Sequence, residues 1–294
     1  MTPPAPRMDP GEAVRLRVRH ITRFDYDAPV TQAHSEVRKT PITTPLQKII
    51  TTAMTITPDT RLGSRVDHFG NVVRHFNLME PHDCVEIVAE AVVETTNAVH
   101  WAPVLEDDPR PWEQRWAEFL AWSPGVPELP EYGTVRHPVI KGMPGADFTG
   151  AVQMLANHFF SEFRYDPDVT HVHSTPQELF QYGGGVCQDL AHAMIGVLRR
   201  EGIPARYVSG YIYDPKQDDA GDHLRGALAT HAWVQTWHPE LGWVGIDPTN
   251  DKLVDWQYVL VAVGRDYFDV QPVRGVFLGG SGQRLDVSVS VSRD

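Results

Sequence analysis

The sequence predicts an α+β protein in which a β-sandwich-like N-terminal domain precedes a helix packed on an antiparallel sheet. Apolar residues alternate with polar ones through most of the first hundred residues, recur at helical spacing from residue 147, and alternate again after residue 205. A length of 294 residues also exceeds what one hydrophobic core usually holds. We therefore divide the chain into a β-sandwich-like module (1–100), a Trp/Pro-rich connecting segment (101–146) and a C-terminal domain (147–294).

The N-terminal module begins with a half-buried strand at residues 14–26, where Val14, Leu16 and Val18 alternate with arginines. Similar patterns predict strands at 48–57, 72–79 and 84–94. The stretch DHFGN before the third of these strands contains a Gly-Asn pair, which is typical of a tight turn.

The connecting segment is marked by tryptophans among prolines and glycines. A short helical pattern covers residues 112–121. Because tryptophan buries a large apolar area, we expect these side chains to pack between the two domains. They are Trp101, Trp112, Trp116 and Trp122.

The C-terminal domain is predicted to contain two main helices followed by strands. The first helix has Asp147 as its N-cap and apolar residues at spacings of three and four. The second begins at Cys187 and ends at the sequence EGIP, where Gly202 and Pro204 stop it. Alternating patterns then predict strands at 205–213, 230–238, 242–247, 257–263 and 284–292.

Composition and charge exclude several classes of protein. Hydrophobic residues make up 41% of the chain and charged residues 22%, as in a soluble globular protein. The sequence has no apolar run of the length that a signal peptide or a membrane span needs, so we expect a cytoplasmic protein without membrane contact. A net charge of −12, with no basic cluster, argues against nucleic-acid binding.

The two cysteines occupy different settings. Cys84 stands at the start of a strand and is interpreted as a packing residue. Cys187 follows three glycines and opens a helix, where unpaired N–H groups and the helix dipole stabilise a thiolate. Glycines let the backbone approach a substrate closely, so N–H groups near Cys187 could converge on an oxyanion. Alternatively, Cys187 is only the first apolar residue of the helix.

A nucleophilic thiol needs an imidazole to accept its proton and a third group to orient that imidazole. His231 shares a strand face with Trp233, and Asp247 ends the next strand. If the PEL sequence at 239–241 closes a hairpin so that His238 pairs with Gly242, His231 and Asp247 become diagonal neighbours on one face. A slip of one residue would place them on opposite faces.

The stretches GGGVCQDLAHAM, GIPARYVSGY, THAWVQTW and GWVGIDPTN resemble the Cys, His and Asp motifs of bacterial transglutaminase-like proteins, a branch of the papain-like cysteine enzyme superfamily. HITRFDYDAPVTQAHSEVRKTP and DHFGNVVRHF are similar to that family's N-terminal β-rich module, and GRDYFDVQPVRGVFLGG to its tail. The resemblance implies a papain-like catalytic core at 147–294, with Cys187 as nucleophile, His231 as base and Asp247 as the orienting group.

The resemblance also implies a thiol-dependent hydrolase, a cysteine peptidase or amidase, that acts on a peptide or amide substrate without a cofactor or metal. The alternatives are transfer of the acyl group to an amine, as in a transglutaminase or acyltransferase, and a non-catalytic binding protein of the same fold. Candidates for contacts with the oxyanion or the substrate are Gln181, Gly185 and Trp233. His171 and His173 form a His-x-His pair that is interpreted as cleft lining rather than a metal site.

Overall fold

The computed structural model describes residues 13–96, 110–215, 224–227, 229–280 and 282–294. Within them the protein is an α+β structure with a strand-rich N-terminal region and a helix packed against an antiparallel sheet, as the sequence predicts. No helix among these residues is both long and apolar enough to span a bilayer.

The larger sheet has seven strands that are all antiparallel to their neighbours, with the order β2-β5-β1-β4-β3 and two further strands, β13 and β14, paired to β1. The predicted alternation and the Gly-Asn turn are both present, and Gly70 occupies that turn with φ of 86°. The strands are β1 (Ala13–Thr40), β2 (Gln47–Thr57), β3 (Gly63–Val66), β4 (Val72–Leu78), β5 (His82–Thr96), β13 (Val273–Gly279) and β14 (Gln283–Arg293).

Strand β1 is 28 residues long and changes partners near its middle. Residues 16–26 lie between β5 and β14, whereas residues 33–37 lie between β4 and β13. The two halves pack together through a shared apolar cluster that contains Val37 from the second half of β1 and Ile87 from β5. One long strand therefore connects the two sets of neighbouring strands within the sheet.

The pairing of β13 and β14 corrects the domain boundary drawn from the sequence. Residues 273–293 belong to the N-terminal sheet and not to a C-terminal domain that covers 147–294. Val289 and Val291 point from β14 into the main core, which explains the alternation of this strand. The sequence shows the strand, but its partner lies more than 250 residues away and leaves no local signal.

The second sheet has five strands in the order β11-β10-β9-β8-β12, and helix α4 packs on it. Helix α4 begins at Cys187, as predicted, and nearly every residue of it is buried because neighbouring helices cover its other side. The elements are α2 (Gly145–Glu162), β6 (Arg164–Tyr165), α3 (Pro176–Tyr182), β7 (Gly184–Gly185), α4 (Cys187–Arg200), β8 (Ala205–Ile212), β9 (His231–His238), β10 (Gly242–Asp247), β11 (Lys252–Leu253) and β12 (Tyr258–Gly264).

The predicted start of α2 is wrong by three residues. The helix begins at Gly145 because the carbonyl of Pro144 already accepts hydrogen bonds from the N–H groups of Asp147 (3.0 Å) and Phe148 (3.1 Å). Asp147 therefore lies in the first turn and is not the N-cap. An acidic residue there still interacts favourably with the helix dipole.

The two sheets are joined by side chains that complete each other's backbone hydrogen bonds. The buried amide of Asn71 bonds both the N–H and the carbonyl of Val263, at 2.8 Å each. The amide of Gln47 does the same for Leu260 on the same strand, also at 2.8 Å. Buried polar groups need such partners, so these contacts fix the position of β12 against the N-terminal sheet.

The described part of the connecting segment packs as the tryptophan pattern predicts. Its helix α1 (Trp112–Arg115) is shorter than the predicted pattern and is followed by a 3-10 turn. The Trp116 ring lies 5.1 Å from the rings of both Trp237 and Trp243 on the second sheet. Phe69 of the N-terminal sheet joins this cluster, so it is an interface between the two regions. Trp101 lies outside the described residues.

Candidate active site

Cys187 is held at the first position of α4 by a short connection that is fixed on both sides. Gly183 ends α3 with φ of 63°, a conformation that favours glycine, and Gly185 then pairs with Tyr165 in a two-residue parallel ladder. The Asp189 carboxylate accepts a hydrogen bond from the N–H of Val186 at 2.8 Å. The thiol therefore stands at the N-terminus of a long buried helix, where the unpaired N–H groups favour negative charge.

Asp189 also ties a neighbouring loop to this helix. Its Oδ2 accepts a second hydrogen bond, at 2.7 Å, from the hydroxyl of Thr170. Gln188 donates to the carbonyl of Val172 at 3.0 Å, so two residues of the first helical turn hold the same loop. Burial raises the pKa of Asp189 above its ordinary value, and the hydrogen bonds from Val186 and Thr170 only partly offset this effect. The loop thereby forms a fixed wall next to Cys187.

His231 and Asp247 are brought together by the strand register on which the sequence argument depended. His238 pairs with Gly242, and the ladder continues to Val234 and Ile246. This register places the imidazole Nε2 at 2.7 Å from Asp247 Oδ2, with both side chains fully buried. The predicted proximity of these two residues is confirmed.

The charges of this pair are mutually stabilised. Burial disfavours a charged His231, but the charge and the hydrogen bond of Asp247, and then the interaction with Cys187, outweigh it and raise the pKa of His231 to about 10. Burial likewise opposes a charged Asp247, yet its interactions with His231, Asn250 and Tyr258 bring the pKa of this carboxyl below its ordinary value. At neutral pH the pair is an imidazolium and a carboxylate.

Three further groups hold the Asp247 carboxylate in place. Tyr258 on β12 donates its hydroxyl proton to Oδ2 at 2.8 Å, and the Asn250 amide donates to the same oxygen at 2.8 Å. The backbone N–H of Thr249 donates to Oδ1 at 2.8 Å. A carboxylate with this many donors has a fixed orientation, and it fixes the imidazole in turn.

The other imidazole nitrogen, Nδ1, lies on the side of the ring next to Gly226. It has no well-formed hydrogen bond within the described residues, and the interaction of the ring with Cys187 is looser than that with Asp247. Resting catalytic contacts are often of this kind. Gly226 covers the ring with φ of 84°, and a Cβ there would come within 2.4 Å of Nδ1. Only a glycine fits at this position.

The remaining site residues predicted from sequence lie in different places. Gly185 is buried two residues before the nucleophile, and its carbonyl accepts the N–H of Asp166 at 2.9 Å. Gln181 lies at the exposed end of α3. Trp233 is 1% exposed, and its ring lies 6.2 Å from that of His231. Trp233 packs beside the imidazole, and its contact with the oxyanion or the substrate stays a prediction.

The histidine pair belongs to the loop that Asp189 holds. His171 Nδ1 accepts the backbone N–H of His173 at 3.2 Å, and the N–H of His171 is bonded to the hydroxyl of Ser174 at 3.0 Å. His171 therefore takes part in hydrogen bonds that stabilise its own loop. Across the described ranges, no group of three or more His, Cys, Asp or Glu side chains is arranged to hold a metal ion.

Sequence reasoning missed several residues of the site. Tyr165 lies opposite Gly185 in the ladder, and its burial, followed by the nearby Cys187, raises the pKa of the phenol to about 12. The hydroxyl therefore stays protonated at neutral pH. Tyr258 and Asn250 were missed because they read as an ordinary strand residue and a turn residue. Two short stretches next to the predicted motifs could have drawn attention to two of these residues: FRYD contains Tyr165, and DPTN contains Asn250.

The arrangement has the parts needed for nucleophilic catalysis at a carbonyl. A thiol stands at a helix N-terminus, a charged imidazole lies beside it, and a buried carboxylate with three other donors orients the ring. A thiol next to an imidazolium is the combination that cysteine-dependent acyl transfer requires.

Known proteins show the same organisation. The transglutaminase-like superfamily matches residues 140–248, and the bacterial transglutaminase-like N-terminal region matches residues 16–94. An uncharacterized protein of Mycobacterium leprae is 35% identical over 282 residues, covering 95% of this chain and 99% of that protein. An uncharacterized protein of Mycobacterium tuberculosis is 32% identical over 293 residues, with coverages of 94% and 92%.

Two more distant similarities concern the fold and the core. The crystal structure of a proposed cysteine protease from Cytophaga hutchinsonii superposes with a TM-score of 0.72 at 18% identity, over 96% of this chain and 91% of that one. A protein-glutamine gamma-glutamyltransferase of Pseudomonas aeruginosa is 39% identical over 94 residues, which are 32% of this chain and 14% of that protein. The chain belongs to the transglutaminase-like superfamily, with the bacterial transglutaminase-like N-terminal region in front of its core.

Proposed function

We propose that the protein is a thiol-dependent hydrolase, a cysteine peptidase or amidase, that cleaves a peptide or carboxamide bond through an acyl-enzyme on Cys187. The observation that carries the proposal is the buried contact of 2.7 Å between His231 and Asp247, in a ring that also interacts with a thiol at a helix N-terminus. A histidine with a purely structural role would not need both a buried carboxylate and a thiol as partners.

In the proposed reaction the Cys187 thiolate attacks the carbonyl carbon and forms a carbon–sulfur bond. The oxyanion is stabilised by N–H groups at the start of α4. His231 gives its proton to the leaving amine as the carbon–nitrogen bond breaks. Water then attacks the thioester carbon, and His231 accepts a proton from this water. The carbon–sulfur bond breaks, the acid product leaves, and Cys187 is again a thiolate. Asp247 keeps the ring oriented in both halves of the reaction.

Transfer of the acyl group to an amine is the second candidate function. It is favoured by the relative from Pseudomonas aeruginosa whose name states a gamma-glutamyl transfer, and whose 39% identical stretch covers 94 residues. The first half of the reaction is the same in both cases. The two functions differ only in whether water or an amine enters the site to attack the acyl-enzyme.

The test is activity profiling of the wild type and of Cys187→Ala on a library of peptides and amides, with products identified by mass spectrometry with and without an added amine. Hydrolysis predicts an acid product in both conditions, and transfer predicts a new amide when amine is present. A Cys187→Ala protein with full turnover would rule out the thiol mechanism. Cys84→Ala is the matched control and should keep full activity, since Cys84 lies on β5 in the N-terminal sheet.

The thiolate itself is tested by alkylation with iodoacetamide near neutral pH. Cys187 should react faster than Cys84, and His231→Ala should slow the reaction of Cys187 because the neighbouring positive charge is lost. Equal rates for the two cysteines, together with a rate that does not change in His231→Ala, would support a non-catalytic protein of this fold.

A further inference from the structure

Arg225 lies beside the proposed catalytic residues on the short segment that covers the imidazole. It directly precedes Gly226, which contacts His231. The backbone of Arg225 is held by Asn250, which accepts its N–H at 2.9 Å and donates to its carbonyl at 3.2 Å. Because the same Asn250 amide bonds Asp247, the position of Arg225 is tied directly to the geometry of the site.

The guanidinium of Arg225 is fixed by aromatic rings. Its central carbon lies 4.6 Å from the ring centre of Phe160 and 5.7 Å from that of Tyr165. Stacking of this kind immobilises the flat group and leaves its N–H donors directed sideways. One donor makes a long contact of 3.5 Å with the carbonyl of Thr249.

No carboxylate of the described residues lies within ion-pair distance of this guanidinium, although the chain holds 38 acidic residues against 26 basic ones. Tyr165, whose ring lies 5.7 Å from the guanidinium, pairs with Gly185 two residues before Cys187, so Arg225 lies close to the start of α4. Arg225 is only partly buried, so its positive charge is available to a molecule that enters the site.

We propose that Arg225 anchors a carboxylate of the substrate, so that the preferred acyl donor carries a carboxylate close to the bond that Cys187 attacks. This inference rests on the proposed function. A guanidinium binds a carboxylate through two parallel hydrogen bonds, which gives both energy and a defined orientation. Peptide and amide substrates offer such a group as a C-terminal or an acidic side-chain carboxylate.

The net charge of the protein narrows the class of expected substrates further. A net charge of −12 repels multiply charged anions at long range, whereas one arginine at the site attracts a single negative charge at short range. A substrate with one carboxylate near the scissile bond fits both conditions.

The test compares two alkylating probes that differ in one group. Iodoacetate carries a carboxylate, and iodoacetamide carries a neutral amide of nearly the same shape; each forms a carbon–sulfur bond with Cys187 and releases iodide. Mass spectrometry of the Cys187 peptide gives the rate constant for each probe at pH 7. The informative quantity is the ratio of the iodoacetate rate to the iodoacetamide rate.

Arg225→Gln should lower this ratio about three- to tenfold, as expected for the loss of one charged hydrogen-bonding contact. Arg225→Lys should retain part of the wild-type ratio, since it keeps the charge. Arg284→Gln is the control for net charge and should leave the ratio unchanged, because Arg284 is 77% exposed on β14.

The outcomes separate this inference from the proposed function. An equal loss of both rates in Arg225→Gln, or an unchanged ratio, would overturn the carboxylate anchor even if Cys187 remains highly reactive. A wild-type Cys187 that reacts with iodoacetamide no faster than Cys84 would instead count against the thiolate, and so against the proposed function.

Discussion

The pair formed by His231 and Asp247 shows how single residues set the chemistry of the site. Both are fully buried, and burial alone would leave each of them neutral. Their contact reverses that outcome, because each charge lowers the cost of the other. In the proposed reaction this imidazolium supplies the proton for the leaving group.

The first prediction concerns pH. In the wild type the imidazolium should persist as pH rises through its ordinary value of 6.5 and should be lost as pH approaches about 10. Asp247→Asn removes the largest stabilising charge, so the alkaline loss of activity should move to lower pH. The pH profile of kcat/KM and an NMR titration of the His231 ring measure this shift.

Asp251→Asn is the control for this experiment, since Asp251 accepts hydrogen bonds from Gln153 and Asn157 and, in the described part of the chain, has none with His231 or Asp247. The prediction is wrong if kcat/KM falls at the same alkaline pH in Asp247→Asn, in Asp251→Asn and in the wild type.

The raised pKa of His231 also makes the stability of the protein depend on pH. The contribution of protonated His231 to the unfolding free energy is full below about pH 6.5 and is lost as pH rises through about 10.

The second prediction concerns Gly226. In Gly226→Ala the new methyl group would come within 2.4 Å of the imidazole Nδ1, so the ring must shift and kcat should fall by at least about tenfold. Gly70→Ala is a matched control, because Gly70 has a similar φ of 86° with nothing within 4 Å of the added methyl. Both variants should lose about 1 kcal/mol of stability from the backbone conformation.

Activity assays together with thermal unfolding distinguish the two contributions. Equal activity in the two glycine variants would show that the covering segment does not position His231.

At the scale of elements, the start of α4 determines where the thiol lies. The helix begins at Cys187 because the carboxylate of Asp189 turns back to the N–H of Val186, and this same carboxylate holds Thr170 of the neighbouring loop. A single buried side chain therefore connects the start of the helix, at Cys187, to the neighbouring loop.

The third prediction tests this connection. Asp189→Ala should cost about 1–2 kcal/mol of stability, as the loss of a helix cap does, and should slow the alkylation of Cys187. Thr170→Val removes only the contact with the loop, so it should leave the alkylation rate near that of the wild type. Equal rates in Asp189→Ala and the wild type would contradict a role of this carboxylate in placing the thiol.

Local patterns predicted most elements of the fold and the closeness of His231 and Asp247. The His–Asp prediction was possible because the turn at 239–241 fixes the register, and register decides which side chains share a face. Tyr258, Gly226 and Arg225 were not predicted as site residues. Tyr258 and Arg225 reach the site through contacts with Asp247 and Asn250 on other elements, and Gly226 through a turn conformation, and no local periodicity records either kind of contact.

At the scale of the whole molecule, the two regions share one hydrophobic core. Leu16 and Val18 of β1 lie in the same cluster as Leu190 and Met194 of α4. Val291 of β14 completes this cluster from the other end of the chain. The N-terminal region is therefore part of the structure that supports the site, and not a separate appendage.

The fourth prediction tests the role of β14 in this core. Val291→Ala should destabilise the protein by roughly 1–3 kcal/mol, because Val291 is 1% exposed and its removal leaves a cavity. Val287→Ala on the same strand is the control and should change stability by less than about 0.5 kcal/mol, since Val287 is 47% exposed. Thermal or chemical unfolding followed by tryptophan fluorescence gives both values.

A similar loss in the two valine variants would contradict the shared core. A loss confined to Val291→Ala, in one cooperative transition, would support it.

The pairing of β1 with β14 also has a consequence for biosynthesis. Leu16 lies opposite Arg293, so the ribosome makes the first strand and its partner β5 long before its other partner, β14, exists. Until translation reaches that point, the nascent chain carries Cys187 on an incomplete scaffold. The hydrogen bonds between β1 and β14 can therefore form only after those between β1 and β5, so this edge of the sheet is completed later than the other.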